Sequence, residues 1–395
     1  MARTFTERVP ELVGRANDAM VELRHDLHAH PELPFDEVRT TSVIRGRLDE
    51  LGWSLERCPT ETGAVAVLSG GRPGRRVMLR ADIDALPVTE ERDLDYRSTV
   101  DGVMHACGHD VHAAALLGVA DVLASRRDEL AGEFVVVFQP AEEALGGARA
   151  MITGGLLELQ PADAVLGVHV TSLAPVGFVG SRPGIFMSEA TSLFIEILGR
   201  GGHGAMAARD GNVVLAASAL APRVAEVVDG LDFDGTGCAC SIGVLRAGTK
   251  NNVVPRRAVL EGTLRTFTSE QRSVALSRLE SLLLEVATRF SVSVTLSPHE
   301  GVPAVVNDVS TVGRVLDVAR ALLGEGNVLT VPPVTPSDDV SEFFERIPGC
   351  YLFVGGALAD GTSGPHHSPD FAVDDAALGV IASVLSAAAV DLAQG

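Results

Sequence analysis

Short, wholly apolar runs alternate with longer helical ones through the first half of this chain, and that alternation restricts the fold more than any other feature. Residues 65–68, 77–81, 134–138 and 164–170 read as strands of the buried type. Helical runs at 6–30, 38–51, 111–130 and 147–158 lie before and between them. Buried strands separated by helices predict an α/β fold: a mixed, largely parallel sheet covered by helices. Near Ser188 the order changes to strand 191–198, helix 213–228, strands 239–246 and 257–267, helix 269–290 and strand 292–296. This β-α-β-β-α-β order is that of a ferredoxin-like α+β unit, and a run of about 110 residues is domain-sized. From residue 303 the first pattern resumes, with helices 308–323, 337–346 and 374–392 and a strand at 351–354. We therefore expect one domain built from 1–187 and 303–395, with a second, 188–302, inserted into it. Residues 324–337 carry no clear pattern.

Charge and cysteine usage narrow the functional classes. A net charge of −20 speaks against nucleic-acid and anionic-membrane partners. No apolar run of about eighteen residues is evident, so no transmembrane helix is expected. Residues 1–10 carry charges and no apolar core, unlike a signal peptide. Cys58, Cys107, Cys238, Cys240 and Cys350 are odd in number and scattered, which suits a reducing cytoplasm better than a disulfide framework. Cys238 and Cys240 alternate on one strand and read as buried packing.

The chemistry-bearing residues gather where strands end. Met-His-Ala-Cys-Gly-His-Asp-Val-His at 104–112 packs three His, one Cys and one Asp into nine residues. Alone, its Cys-x-His is a weak signal, because structural zinc sites need further paired donors. Other clusters follow other strands: Arg-Ala-Asp-Ile-Asp at 80–84, Gln-Pro-Ala-Glu-Glu at 139–143, Gly-Val-His at 167–169 and Pro-His-His-Ser-Pro at 365–369. Carboxyl ends of parallel strands open into a shared crevice. Paired acids past a buried strand are costly unless they bind a cation or work on protons. Nitrogen, sulfur and oxygen donors together suit zinc and similar ions. Two ions roughly 3.5–4 Å apart need a bridging ligand, and neighbouring glutamates can divide ligation from proton transfer.

At these residues the sequence resembles the two-metal aminoacylase and carboxypeptidase amidohydrolases. The branch is that of hippurate hydrolases, N-acyl-amino-acid deacylases and indoleacetyl-amino-acid hydrolases. The motifs run in family order over nearly the whole chain. They include Leu-His-Ala-His-Pro-Glu-Leu at 27–33, Gly-His-Gly-Ala at 202–205, Asn-Val-Val-Pro at 252–255 and Gly-Thr-Leu-Arg at 262–265, besides those above. The resemblance implies a zinc-exopeptidase-like catalytic domain with two divalent ions, zinc or manganese, with cobalt or nickel also compatible. Cys107 would bridge them, with His109, Glu143, His169 and His367 completing the ligands and His366 a bystander. Glu142 would be the general base and Asp84 would orient a ligand. His105 and His112 read as structural, and Asp110 as a helix N-cap. In the family the inserted domain pairs two subunits, implying a homodimer in which His203 reaches the partner's site. Asn252 and Arg265 match positions that meet the substrate. The sequence departs from the branch at Ala207 and Ala208, where Pro-His is usual.

The activity implied is hydrolysis of the amide of an N-acyl amino acid, releasing a carboxylic acid and a free amino acid. Glu142 would take a proton from a water polarised by the ions, and His203 would steady the oxyanion. The nearest alternative is a metallo-carboxypeptidase or dipeptidase of the same fold. More distant ones are a cysteine hydrolase with Cys107 as nucleophile, and a non-catalytic dimeric binding protein.

Overall fold

The computed structural model describes residues 4–206 and 210–395. They divide into two compact units. One is Met1–Gly184 with Val306–Val331 and Asp339–Gly395; the other is Ile185–Val305 with Pro332–Asp338.

The first unit is built on an eight-stranded sheet. Its order is Ser54–Leu55, Ala64–Ser69, Ala131–Gln139, Arg72–Asp82, Ala164–Pro175, Gly349–Ala357, Val179–Ser181, Val328–Thr330. The four central strands, from Ala131–Gln139 to Gly349–Ala357, are mutually parallel. Ala64–Ser69 and Val179–Ser181 flank them antiparallel. Central strands of this kind are buried on both faces, which is why their sequences are nearly continuous Val, Leu and Phe. The edge strand Val328–Thr330 falls in the stretch without a pattern; three residues are too few to show a period.

Register brings the chemical residues level. Asp82 pairs with Gln139, Arg80 with Gly167 and His169 with Phe353, so three strands deliver their polar residues at the same end of the sheet.

Several helices depart from expectation, and the run at 337–346 holds only Ser341–Phe344. The run at 147–158 is two short helices, Gly147–Thr153 and Leu156–Leu159. Gly155 between them takes φ +96°, a left-handed turn that stops the first helix. The helix Ala376–Gln394 does meet the length and hydropathy of a membrane span, with mean hydropathy 2.0, contrary to the expectation that no such run occurs. It is a core helix, with 78% of that window buried, packed on Phe5–Ala29, His109–Ala124 and the sheet.

The second unit holds a four-stranded antiparallel sheet in the order Ala239–Ala247, Arg257–Thr266, Glu189–Leu198, Ser293–Glu300. Val213–Leu220 and Ser269–Phe290 share a core with Leu193, Ile195, Ile197 and Leu260. Val213–Leu220 passes into a 3-10 helix at Ala221–Val228, where Pro222 lacks the N–H that the α-helix needs. The segment Pro332–Asp338, which the sequence reading keeps with the first domain, belongs to this unit. The Ser188 amide donates to the Val334 and Pro336 carbonyls at 3.0 and 3.1 Å.

Candidate metal centre

The motif at 104–112 turns from an extended segment into the helix His109–Ala124 through Gly108. Gly108 has φ 89°, and a Cβ there would lie 2.4 Å from Val170 Cγ1. Conformation and space both require glycine at this position. The turn presents Cys107 and His109 beside the ends of the central strands.

Among the described residues, Cys107 belongs to two groups of donors there. Cys107, His109 and Glu143 have ligand atoms within 4.8 Å of one another, as have Cys107, His169 and His366. A thiolate shared between two donor sets is what a bridging ligand requires. Burial pushes the Cys107 thiol well up, and the neighbouring His109 opposes the rise while Glu143 and Glu142 add to it. A positive charge among these groups is what would bring the thiolate forward.

The histidines sort by which ring nitrogen is left over. His109 Nδ1 lies 2.9 Å from the Asp84 carbonyl and 3.2 Å from Asp84 Oδ1, leaving Nε2 toward Cys107 and Glu143. His169 Nδ1 donates to the Val170 carbonyl at 2.6 Å, leaving Nε2 3.4 Å from Cys107 Sγ. Burial, then the charges of His112 and His366, hold His169 well below its ordinary range. A neutral imidazole whose other N–H is anchored is the form that binds a metal.

His112 is different. Its Nδ1 lies 2.6 Å from Asp82 Oδ1, and its Nε2 accepts the Val170 N–H at 2.9 Å. Both nitrogens are used, so it braces the site without a lone pair to offer.

The adjacent pair His366 and His367 divides unexpectedly. His366, expected as a bystander, joins Cys107 and His169, with Nδ1 3.7 Å from the thiol. Its Nε2 accepts the Ser172 N–H at 3.4 Å, so in the neutral ring Nδ1 carries the proton. Burial and the neighbouring His367 push it down to about 4. His367 takes φ 64° and half exposes its ring, with Nε2 3.3 Å from Glu143 Oε1. Its amide donates to the Ala106 carbonyl at 2.8 Å, which ties it beside Cys107.

The donor set fits a cation. His109 Nε2 and Glu143 Oε1 lie 3.9 Å apart, both buried, and among the described residues neither meets a partner in hydrogen-bond geometry, His367 lying close to Glu143 without it. Buried polar atoms are rarely left so. With the thiol of Cys107 they make an N, S, O set suited to zinc or a similar ion. Glu142 is buried next to them, its Oε2 4.0 Å from His109 Nε2.

Behind the donors lies a layer of buried ion pairs that sequence patterns did not reveal as a unit. Asp84 Oδ2 accepts the Glu143 N–H at 2.9 Å. Arg80 reaches Asp82 at 2.8 Å, Gln139 at 2.8 Å and Asp339 at 3.0 Å. Asp110, expected as an N-cap, has no capping role, since Gly108 is the N-cap. Its carboxylate meets Arg24 at 3.2 Å and His28 at 3.0 Å instead. His28 also meets Glu90 at 3.2 Å.

The remaining expected residues belong to the second unit. His203 lies on a two-residue strand opposite Val253, and its Nδ1 accepts the Ala205 N–H at 3.1 Å. Asn252 is its near neighbour, through a Gly204 N–H donated to the Asn252 carbonyl at 2.8 Å. Arg265 stands on a different strand, opposite Ala190 and Ala239. Ala207 and Ala208 lie outside the described residues.

The model of peptidase family M20/M25/M40 matches residues 78–391. N-acetyl-L-cysteine deacetylase of Bacillus subtilis is 36% identical over 374 residues, covering 94% of this chain and 88% of that protein. Thermostable carboxypeptidase 1 of Saccharolobus solfataricus is 32% identical over 390 residues, covering 97% and 98%. The crystal structure of the Bacillus subtilis YXEP protein, described as a dinuclear metal-binding peptidase of the M20 family, matches with a TM-score of 0.80 at 31% identity, covering 96% of this chain and 99% of that one. The chain belongs to peptidase family M20/M25/M40, and it is a hydrolase of that family.

Proposed function

We propose that the protein hydrolyses the amide bond of N-acyl amino acids, releasing a carboxylic acid and a free amino acid. The observation that carries this reading is the pair of donor groups meeting at Cys107, with Glu142 beside them. Cys107, His109, Glu143, His169 and His367 would hold two divalent ions, zinc or manganese. His367 is preferred to His366 because it is the histidine of the His-Ser-Pro motif that the resemblance implies, and the Ser172 N–H meets His366 Nε2. When bound, the ions would polarise the amide carbonyl and make a water molecule more acidic near neutral pH.

Glu142 is the general base in this reading. Its carboxylate takes a proton from the attacking water and hands it to the departing amine. Asp84 holds the Glu143 amide and the His109 ring together, which keeps base and ligands in one frame. His203, from the partner subunit of a homodimer formed through the second unit, would steady the oxyanion. Asn252 and Arg265 would meet the substrate's carboxylate or carbonyl oxygen, and a planar guanidinium suits a carboxylate.

A second reading is supported by the carboxypeptidase relative: the scissile amide would lie within a peptide. The two differ in whether the acyl side bears a free α-amine. Paired substrates test this, for example N-acetyl- and N-benzoyl-amino acids against dipeptides with the same C-terminal residue. The deacylase reading predicts kcat/KM at least tenfold higher for the acyl compounds. The reverse ranking would replace it with the peptidase.

A further inference from the structure

Each of the two peptide N–H groups flanking Glu142 meets a buried carboxylate. The Glu143 N–H donates to Asp84 Oδ2 at 2.9 Å, and the Ala141 N–H donates to Glu37 Oε1 at 2.9 Å. Glu37 comes from 104 residues earlier, at the start of the helix Val38–Glu50, and is fully buried. The same Oε1 accepts the Phe35 N–H at 2.9 Å, and Oε2 accepts the Thr62 hydroxyl at 2.6 Å.

The backbone that Glu37 grips is strained. Ala141 has φ 54° and Phe35 has φ 65°, both in the left-handed region that non-glycine residues avoid. The Ala141 carbonyl accepts the Gly147 N–H at 3.1 Å. A Cβ on Gly147 would lie 1.6 Å from the Pro140 carbonyl oxygen, so the loop closes tightly at its far end. Ala141 is thus pinned at both its N–H and its C=O, and the Glu142 side chain leaves the next residue. Burial pushes the Glu37 carboxyl up, against the bonds from Thr62, its own backbone, Phe35 and Ala141 that favour the charged form. A buried carboxylate is an expensive way to brace a loop unless the loop's conformation matters.

We propose that Glu37 is a positioning residue for Glu142. By holding the Ala141 amide in a left-handed turn it aims the Glu142 carboxylate, as Asp84 does from the other side. Glu37 touches no reacting atom and acts through Ala141. This rests on the reading of Glu142 as general base. Displacements of about 1 Å in a catalytic group cost on the order of 100-fold in rate.

The test uses the metal-loaded protein and one acyl-amino-acid substrate. Glu37→Ala should lower kcat by about 10–100-fold, with KM within twofold and the ion content unchanged. Glu37→Gln keeps an acceptor oxygen for the Ala141 and Phe35 amides and should recover kcat to within about threefold of the parent. Thr62→Val removes only the bond to the other oxygen, so its fall in kcat should be smaller than that of Glu37→Ala. In a Glu142→Gln background, Glu37→Ala should add no further loss, because it acts through the group already removed.

Parent-level kcat in Glu37→Ala, or an equal fall for Thr62→Val, would overturn the proposal. So would a fall that persists in the Glu142→Gln background. If Glu37→Ala does not fold, Glu37→Asp replaces it, since it withdraws the carboxylate by one methylene; full kcat there has the same contrary meaning. Failure of the underlying reading looks different: Glu142→Gln would itself remain active.

Discussion

Asp82 Oδ1 lies 2.6 Å from His112 Nδ1, and this contact settles what His112 can do beside the donor cluster. With its proton committed to Asp82 and its Nε2 accepting the Val170 N–H, the ring has no lone pair left. Asp82 is itself held by Arg80 at 2.8 Å, and the buried Arg80 and His112, with His109, keep it well below the usual carboxylate range despite burial that works the other way. As bonded here, the histidine and aspartate brace the site, although with His109 they also lie close enough together to face an ion.

His112→Ala should therefore keep both ions and lose stability. It leaves Asp82 Oδ1 and the Val170 N–H unpartnered in the core, which costs about 2–5 kcal/mol. Denaturant midpoints and elemental analysis on the same preparation check this. Loss of an ion at unchanged stability would make His112 a ligand.

Glu142→Gln should bind ions and substrate normally while kcat drops by about 100- to 10,000-fold, the usual range for a general base. Single-turnover kinetics with metal analysis would show it. Substantial turnover in that variant would remove Glu142 from the mechanism.

His366 and His367 make opposite predictions although they are adjacent. His367→Ala should lower the ion content below two per chain. His366→Ala should leave two, with a modest change in rate, since its ring packs on Phe371 and His169. Inverted results would exchange their roles and favour the grouping of His366 with Cys107 and His169.

The buried pair His28 and Asp110 should make stability depend on pH on the alkaline side. Burial alone would lower His28, but the Asp110 charge, with bonds to Asp110 and Glu90, outweighs it and raises His28 to about 9. Between its ordinary value of 6.5 and about 9 the folded state binds the extra proton. The contribution is therefore full below about pH 6.5 and fades as pH rises through about 9. Asp110 works in reverse: held far below its ordinary value by His28 and Arg24 against the opposing effect of burial, it contributes above the carboxylate range and is lost in acid. Thermal melts should show Tm falling from pH 7 to 10. In His28→Gln that alkaline fall should be smaller, and an unchanged slope would assign it elsewhere.

Much of this was legible in the sequence. Strands of the first unit were readable because buried parallel strands are uninterrupted apolar runs, and Glu142 and Glu143 follow directly from where one such run stops. His169 sits on another such end, whereas His109 stands at the start of a helix. What could not be read was pairing across the chain. Nothing local in Glu37 shows that it meets Ala141, or in Asp339 that it meets Arg80. Asp110 looked like an N-cap because position and residue type suit one. Its partners Arg24 and His28, on a helix some 80 residues earlier, claim it instead. The resemblance chooses His367 over His366, but no motif includes the Ser172 amide that meets His366 Nε2.

The central claim is that Cys107 joins two metal sites, and ion content measures it most directly. Elemental analysis of the purified protein, alongside acyl-amino-acid hydrolysis before and after chelation, should find about two transition ions per chain. Activity should vanish on chelation and return with added metal. Cys107→Ala should lose both ions together, or nearly so. Chelator-resistant turnover by a protein without bound metal would contradict the account and leave Cys107 as the candidate nucleophile.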